Sequence, residues 1–160
     1  MRTRQQILFV IFATCCIIYS CSQKTNPTAE EPNIKLTIEN FKKFWETKDI
    51  SILSKIMAHD SDMVNYGTDG NEVFVGWNAL KDTVQKLLPL IDKVKIKVRN
   101  QVIKVGPSSN VAWFAEIWDW DFVFGGQPVK QPNQRLTGVL EKRNGEWIIV
   151  QFHNSVAVTQ

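Results

Sequence analysis

The chain has 160 residues and a mass of 18.4 kDa, enough for one domain with a sizeable core. Its 44% hydrophobic and 22% charged content, with six tryptophans, excludes a disordered or collagen-like chain. A formal charge of +3 and three cysteines suggest an acidic partner and thiol chemistry, but position decides both.

Residues 1–20 read as a bacterial export signal. Arg2 and Arg4 supply the positive start, and Ile7 to Ile18 form an apolar run broken only by Thr14. At about 1.5 Å per residue the run falls short of the roughly 30 Å needed to cross a bilayer. It ends at Ile18-Tyr19-Ser20-Cys21, which resembles the box cut by lipoprotein signal peptidase. A small residue there fits the cleavage site, and the Cys21 thiol carries the lipid. An ordinary secretion signal or an uncleaved anchor is the alternative. Cleavage before Cys21 discards Cys15, Cys16, Arg2 and Arg4, which leaves 17 basic against 16 acidic residues and a charge of +1. No cysteine follows Cys21, so the mature domain has no internal disulfide, thiolate nucleophile or cysteine metal site. Residues 21–33 then read as a lipidated cysteine and a flexible tether, with two prolines and no periodicity. The resulting localisation is the bacterial cell envelope, lipid-anchored, with the domain (34–160) in the periplasm or at the surface.

From Thr37, a candidate N-cap, Ile38, Phe41 and Trp45 repeat at helical spacing. Asp49 can cap a second short helix that buries Ile52, Leu53, Ile56 and Met57. Met63–Tyr66 and Val73–Val75 read as short strands around the turn Gly67-Thr68-Asp69-Gly70-Asn71. Asn78 can cap a third helix with Leu80, Val84, Leu87 and Leu88 on one stripe, closed by Pro89.

The remainder is strand. In Lys93–Val105, Val94, Ile96 and Val98 alternate with lysines before the parity flips to Ile103 and Val105, which predicts a bulge near Asn100. Val111–Phe122 is apolar on both faces. Arg135–Lys142 and Glu146–Val158 are joined through Asn144-Gly145, a strong hairpin signal. Helices followed by a long antiparallel meander indicate an α+β domain. The alternating basic residues of the lysine-rich strand lack interleaved aromatics, so they form a solvated face and no nucleic-acid platform is expected.

Three stretches resemble the SnoaL-like branch of the nuclear-transport-factor-2-like superfamily. They are Tyr66-Gly67-Thr68-Asp69-Gly70-Asn71-Glu72-Val73-Phe74-Val75-Gly76-Trp77, then Asn110-Val111-Ala112-Trp113, then the closing Gly145-Glu146-Trp147-Ile148-Ile149-Val150-Gln151-Phe152-His153-Asn154-Ser155. Their order and spacing span roughly 35 to 158. The resemblance implies a cone: a strongly curved, mostly antiparallel sheet packed around three N-terminal helices, with a pocket at the open end. It implies little about chemistry, since the superfamily holds isomerases, cyclases, dehydratases and assembly subunits. Gln151 stands where the branch often has a second histidine.

His153 falls on the family's histidine position, and a regular strand places it on one face with Trp147, Ile149, Gln151 and Ser155. It reads as a general base or ligand contact, or, the preferred reading, as a structural histidine. Asp119 or Asp121 can shuttle a proton if desolvated beside tryptophan; solvent exposure is the preferred alternative. Asp69-Gly70-Asn71-Glu72 lacks the ligand repeat of a calcium loop. No serine sits in a G-x-S-x-G context. His59 is expected to meet a helix C-terminus. Neither a metal nor a cofactor is expected.

The expected pocket comprises Tyr66, Trp77, Trp113, Gln151 and His153, suited to a small apolar or aromatic molecule. The second apolar face of Val111–Phe122 is expected to be covered by another copy, giving a homodimer. Three functions remain open. One is a lipid-anchored small-molecule-binding domain without established catalysis. Another is an isomerase, dehydratase or hydrolase using His153 and Asp119. The third is a dimeric assembly module with a vestigial pocket.

Overall fold

This computed structural model describes residues 27–156. The export signal, Cys21 and residues 22–26 lie outside the described residues. The elements run α1 (Pro27–Thr47), α2 (Ile50–Ile56), β1 (Val64–Tyr66), β2 (Val73–Val75), α3 (Trp77–Leu87), β3 (Ile91–Val105), β4 (Val111–Phe124), β5 (Gln127–Arg143) and β6 (Glu146–Ser155). One six-stranded sheet has the order β2-β1-β6-β5-β4-β3. All pairs are antiparallel except β1 with β6. The α+β architecture expected from the sequence is the one observed, with the helices against the concave face of a curved sheet.

Helix α1 starts ten residues before the expected Thr37 and takes in Pro32. As the sixth residue of the helix Pro32 lies beyond the four N–H groups that have no helical partner, so it removes one intrahelical bond, to the residue-28 carbonyl. Tertiary contacts outweigh that cost. Ile34 is fully buried, and Glu30 accepts hydrogen bonds from Lys142 Nζ at 2.7 Å and Trp147 Nε1 at 2.9 Å. Residues 27–33 are therefore helix where a tether was expected. Thr37 is an interior residue whose hydroxyl donates to the Trp147 carbonyl at 3.1 Å. Asp49 caps α2 as expected, accepting from Ser51 N at 2.9 Å. Helix α3 instead begins at Trp77, after Gly76 at φ +80°, and Asn78 does not cap it. A Cβ on Gly76 would also lie 2.7 Å from the Ser61 carbonyl oxygen, so glycine is required there.

The core is aromatic. Phe41 of α1 packs between Trp118 of β4 and Phe152 of β6, with centroids 5.6 and 5.2 Å away, and Trp45 meets Trp120 edge-on at 5.4 Å. Leu53, Leu136, Leu140 and Ile149 complete it, each nearly or fully buried. Such aromatic contacts add about 0.5–1.5 kcal/mol each beyond area burial.

Bulges bend the sheet around this core. In β3, Asn100 and Gln101 oppose Glu116 alone, which is the irregularity expected near Asn100, and Asn100 has φ +53°. In β5, Pro132 and Asn133 oppose Asp119 alone, with Asn133 at φ +61°. In β6, Val150 is an extra residue between Ile149, paired with Leu140, and Gln151, paired with Val139. This last bulge inverts which side chains face inward. The hairpin at Asn144-Gly145 (φ +52° and +88°) is observed, and a second at Gly125-Gly126 (φ +55° and +86°) extends β4 and β5 beyond their expected ends.

Candidate functional site

A cavity of about 210 Å³ opens on the concave side of the sheet, where α1, α3 and the Gly67–Glu72 turn meet β4, β5 and β6. Its walls are aromatic and aliphatic: Trp45 from α1, Phe74 from β2, Val84 from α3, Trp120 and Phe122 from β4, and Phe152 from β6. Each strand residue faces inward because alternate positions share a face and the bulges keep that face turned to the helices.

Three amide side chains cross one wall. Asn154 Nδ2 donates to Gln134 Oε1 at 2.8 Å, and Gln134 Nε2 donates in turn to Gln131 Oε1. Gln134 is buried, and all three residues line the cavity. Three further polar atoms on lining residues are buried without a partner: Nε1 of Trp45, Nε1 of Trp120 and Oδ1 of Asn154. Glu72 is the one charged residue among those lining the cavity, and its carboxylate already accepts from the Asp69 backbone N–H at 3.0 Å.

A wider cleft of about 610 Å³ lies between α1 and β3, walled largely by lysine, arginine and glutamate side chains such as Lys35, Lys42, Glu46 and Arg99. Glu116 lies at this cleft and is only 3% exposed. It accepts from Gln101 Nε2 at 2.7 Å and from Trp118 Nε1, with no cation paired to it among the described residues. Burial pushes its carboxyl above the usual range, and those two hydrogen bonds partly oppose the rise. Solvated, mutually paired chains suit a hydrated groove, so the smaller aromatic cavity is the better ligand site.

None of the five expected pocket residues lines this cavity. Trp77 is buried, stacked on His59 with centroids 4.4 Å apart. His59 Nε2 lies 2.9 Å from the Ser54 carbonyl oxygen in the last turn of α2. The other four come together, but on the convex face. Tyr66 pairs with His153, His153 with Thr137 and Thr137 with Ala115; in the next row Gln151 pairs with Val139 and Val139 with Trp113. Trp113 is 49% exposed and Tyr66 44%. For Gln151 and His153 the Val150 bulge is the reason, since it turns them outward and brings Phe152 and Asn154 inside, whereas Trp113 faces outward by simple alternation with the buried Ala112 and Phe114.

Asp119 also has another role. It takes a bidentate pair from Arg99 (2.7 and 2.8 Å) and the backbone N–H of Asn133 (3.0 Å), while Arg99 Nη2 donates to Asn133 Oδ1 at 2.9 Å. This cluster ties the β3 bulge to the β5 bulge across β4. The Arg99 guanidinium and the Asn133 N–H hold the Asp119 carboxyl well below the usual carboxylate range, opposite to the shift a proton shuttle needs. Asp121 is exposed. Among the described residues, no group of three or more His, Cys, Asp or Glu side chains is arranged to hold a metal ion.

Sequence reasoning missed Gln131, Gln134 and Asn154. The first two lie in a stretch with no strand pattern, Gln127–Gln134, and the third was turned inward by a bulge with no glycine or proline to announce it. Glu116 was visible as a carboxylate between Phe114 and Trp118 on the aromatic face of β4, and that alternation was a usable signal.

A family model described as a SnoaL-like domain matches residues 34–159. Among solved structures, a nuclear transport factor 2 (NTF2-like) superfamily protein from Salmonella enterica serovar Typhimurium is similar at 17% identity and TM-score 0.74, over 84% of this chain and 96% of that one. A proposed dehydratase of the NTF2-like family from Streptomyces avermitilis is similar at 16% identity and TM-score 0.72, over 84% of this chain and 100% of that one. An NTF2-like protein of unknown function from Pseudomonas putida is similar at 18% identity and TM-score 0.66, over 83% and 90%. At these identities the likeness is one of fold. No curated protein matches the chain by sequence.

Proposed function

The chain belongs to the SnoaL-like domain family, and on that footing we propose that it is a small-molecule-binding domain held at the bacterial envelope by lipid on Cys21. The observation that carries the binding reading is the 210 Å³ cavity with aromatic walls on the concave face. Burying an apolar ligand there is favourable by about 25 cal/mol per Å² of apolar surface removed from water. The enzyme alternative that pairs His153 with Asp119 lacks geometric support. His153 aligns through Thr137 with Ala115, so Asp119 lies two strands across and four residues further along, and neither side chain lines the cavity.

Toluene titrated into the protein and followed by NMR tests the site. Shifts should concentrate on Trp45, Trp120 and Phe152, and Val84→Trp, which fills the cavity, should abolish them. Dispersed shifts, or shifts unchanged in Val84→Trp, refute the reading.

The anchoring part is supported by the Ile18-Tyr19-Ser20-Cys21 box, and a chain anchored there would carry its domain in the periplasm or at the cell surface. No helix of the described residues is long and apolar enough to cross a membrane. Mass spectrometry should find acyl groups on Cys21; an intact N-terminus overturns the anchor. The same reading includes a homodimer through the convex face, supported by exposed Trp113, Val102 and Tyr66. Native mass spectrometry at low concentration should show dimers that Trp113→Glu dissociates, and a clean monomer removes that part.

A further inference from the structure

We propose that the cavity's ligand is a neutral, single-ring compound carrying a hydrogen-bond acceptor beside a donor, a cyclic amide being the simplest case. This rests on the reading that the cavity binds a small molecule, and it names the class. Three observations carry it.

Size comes first. An apolar cavity of about 150 Å³ admits benzene, and drug-sized sites begin near 300 Å³. At about 210 Å³ this cavity fits one substituted ring.

Charge comes second. No lysine, arginine or histidine lines the cavity, and its one carboxylate, Glu72, accepts from the Asp69 N–H through Oε2. An anion would be buried without a counter-ion, which is strongly unfavourable, and a cation would have to draw Glu72 away from the Asp69 N–H and Thr68 hydroxyl that it accepts from.

Polarity is the third and most specific. The chain Asn154–Gln134–Gln131 leaves Asn154 Oδ1 without a donor, while the indole N–H groups of Trp45 and Trp120 lack acceptors. Rotating all three amides reverses the chain's direction. Each direction leaves a free donor at one end of the chain and a free acceptor at the other. A buried polar group without a partner destabilises the fold, and a ligand that satisfies it gains that difference on binding. Trp120 is 8% exposed; Trp45 and Asn154 are half-buried, so a side-chain adjustment at either brings its polar atom to the ligand. A carbonyl oxygen on the ring would accept from an indole N–H, and an adjacent N–H would donate to Asn154 Oδ1. Apolar rings of equal size leave all three atoms unmatched.

Calorimetric titration with four one-ring probes tests the class: 2-pyridone, toluene, benzoate and benzylamine. The lactam 2-pyridone should bind about tenfold tighter than toluene, the ratio supplied by one or two net hydrogen bonds, and the two charged probes should bind more weakly than either. Trp45→Phe and Asn154→Leu should each weaken 2-pyridone more than toluene and bring the two affinities close to equal, while the toluene binding that persists shows that the variants still fold around the cavity. Equal binding of 2-pyridone and toluene, or tighter binding of a charged probe, overturns the proposed class and leaves the cavity reading standing. Failure of all four probes to bind overturns the cavity reading itself.

Discussion

Gly138→Ala tests whether the bend of the sheet depends on the packing described. Gly138 lies on the inward face of β5, paired with Phe114 of β4 on one side and Phe152 of β6 on the other. A Cβ built there would sit 2.5 Å from Phe114 Cε1 and 2.9 Å from the Gln151 carbonyl oxygen. The phenyl ring can move, but the carbonyl belongs to backbone beside the Val150 bulge and cannot yield without disturbing the ladder. Overpacking of this kind costs about 1–3 kcal/mol, while replacing a strand glycine by alanine returns about 0.5–1 kcal/mol. The net loss is roughly 1–2 kcal/mol, which for a domain of this size lowers Tm by about 4–8 °C. Thermal melts by circular dichroism measure it. Phe114→Leu in the alanine background should recover part of the loss, because the two sites share one space. An unchanged or raised Tm in Gly138→Ala would refute the claim that Phe114 and the Gln151 carbonyl occupy that space.

Other substitutions probe the remaining inferences. Burial raises the Glu116 carboxyl, so the folded chain holds that proton more tightly than the unfolded one, and stability falls as pH climbs from the unfolded value through the folded one. Glu116→Gln should therefore gain on the parent in urea melts at pH 8, and the gain should shrink at pH 4; a pH-independent difference counts against it. Glu30→Ala leaves the buried Trp147 Nε1 without its acceptor, a loss of about 1–3 kcal/mol that should lower Tm and speed amide exchange in residues 29–34. Unaltered exchange there would mean Glu30 does not hold the first turn of α1. His153→Ala removes an exposed ring that meets Tyr66 edge-on at 5.7 Å, so stability should change by no more than about 0.5 kcal/mol, with toluene binding unaffected. A tenfold weaker toluene affinity would place His153 back at the site.

Much of the architecture was legible because it follows from local periodicity. Three-to-four-residue spacing marked the helices, alternation marked β3, and double-sided apolarity marked β4 as a strand covered on its inner face. The Asp49 cap and the Asn144-Gly145 hairpin were announced by residue types suited to those positions, and the bulge near Asn100 by the flip in apolar parity between Val98 and Ile103. The α1 start was misplaced for the complementary reason. Pro27 and Pro32 read locally as linker, and only contacts with Lys142 and Trp147, more than a hundred residues away, make that stretch helical.

The site was less legible because its composition depends on register. The family motif correctly identified β6, but strict alternation placed His153 and Gln151 inside. One extra residue, Val150, reversed that placement, since the side-chain period in a strand is two and a slip of one turns every later residue to the other face. Nothing in Ile149-Val150-Gln151 signals the slip locally; it is set by the ladder with β5. The amide chain is equally non-local, joining Asn154 to Gln134 and Gln131 on the neighbouring strand. Asp119, read alone, is a carboxylate beside tryptophans. Only the apposition of β3, β4 and β5 makes it the tie between two bulges. The sequence thus determined the helices, the strands and the family of the cone from short-range patterns, while strand pairing decided which residues face its interior.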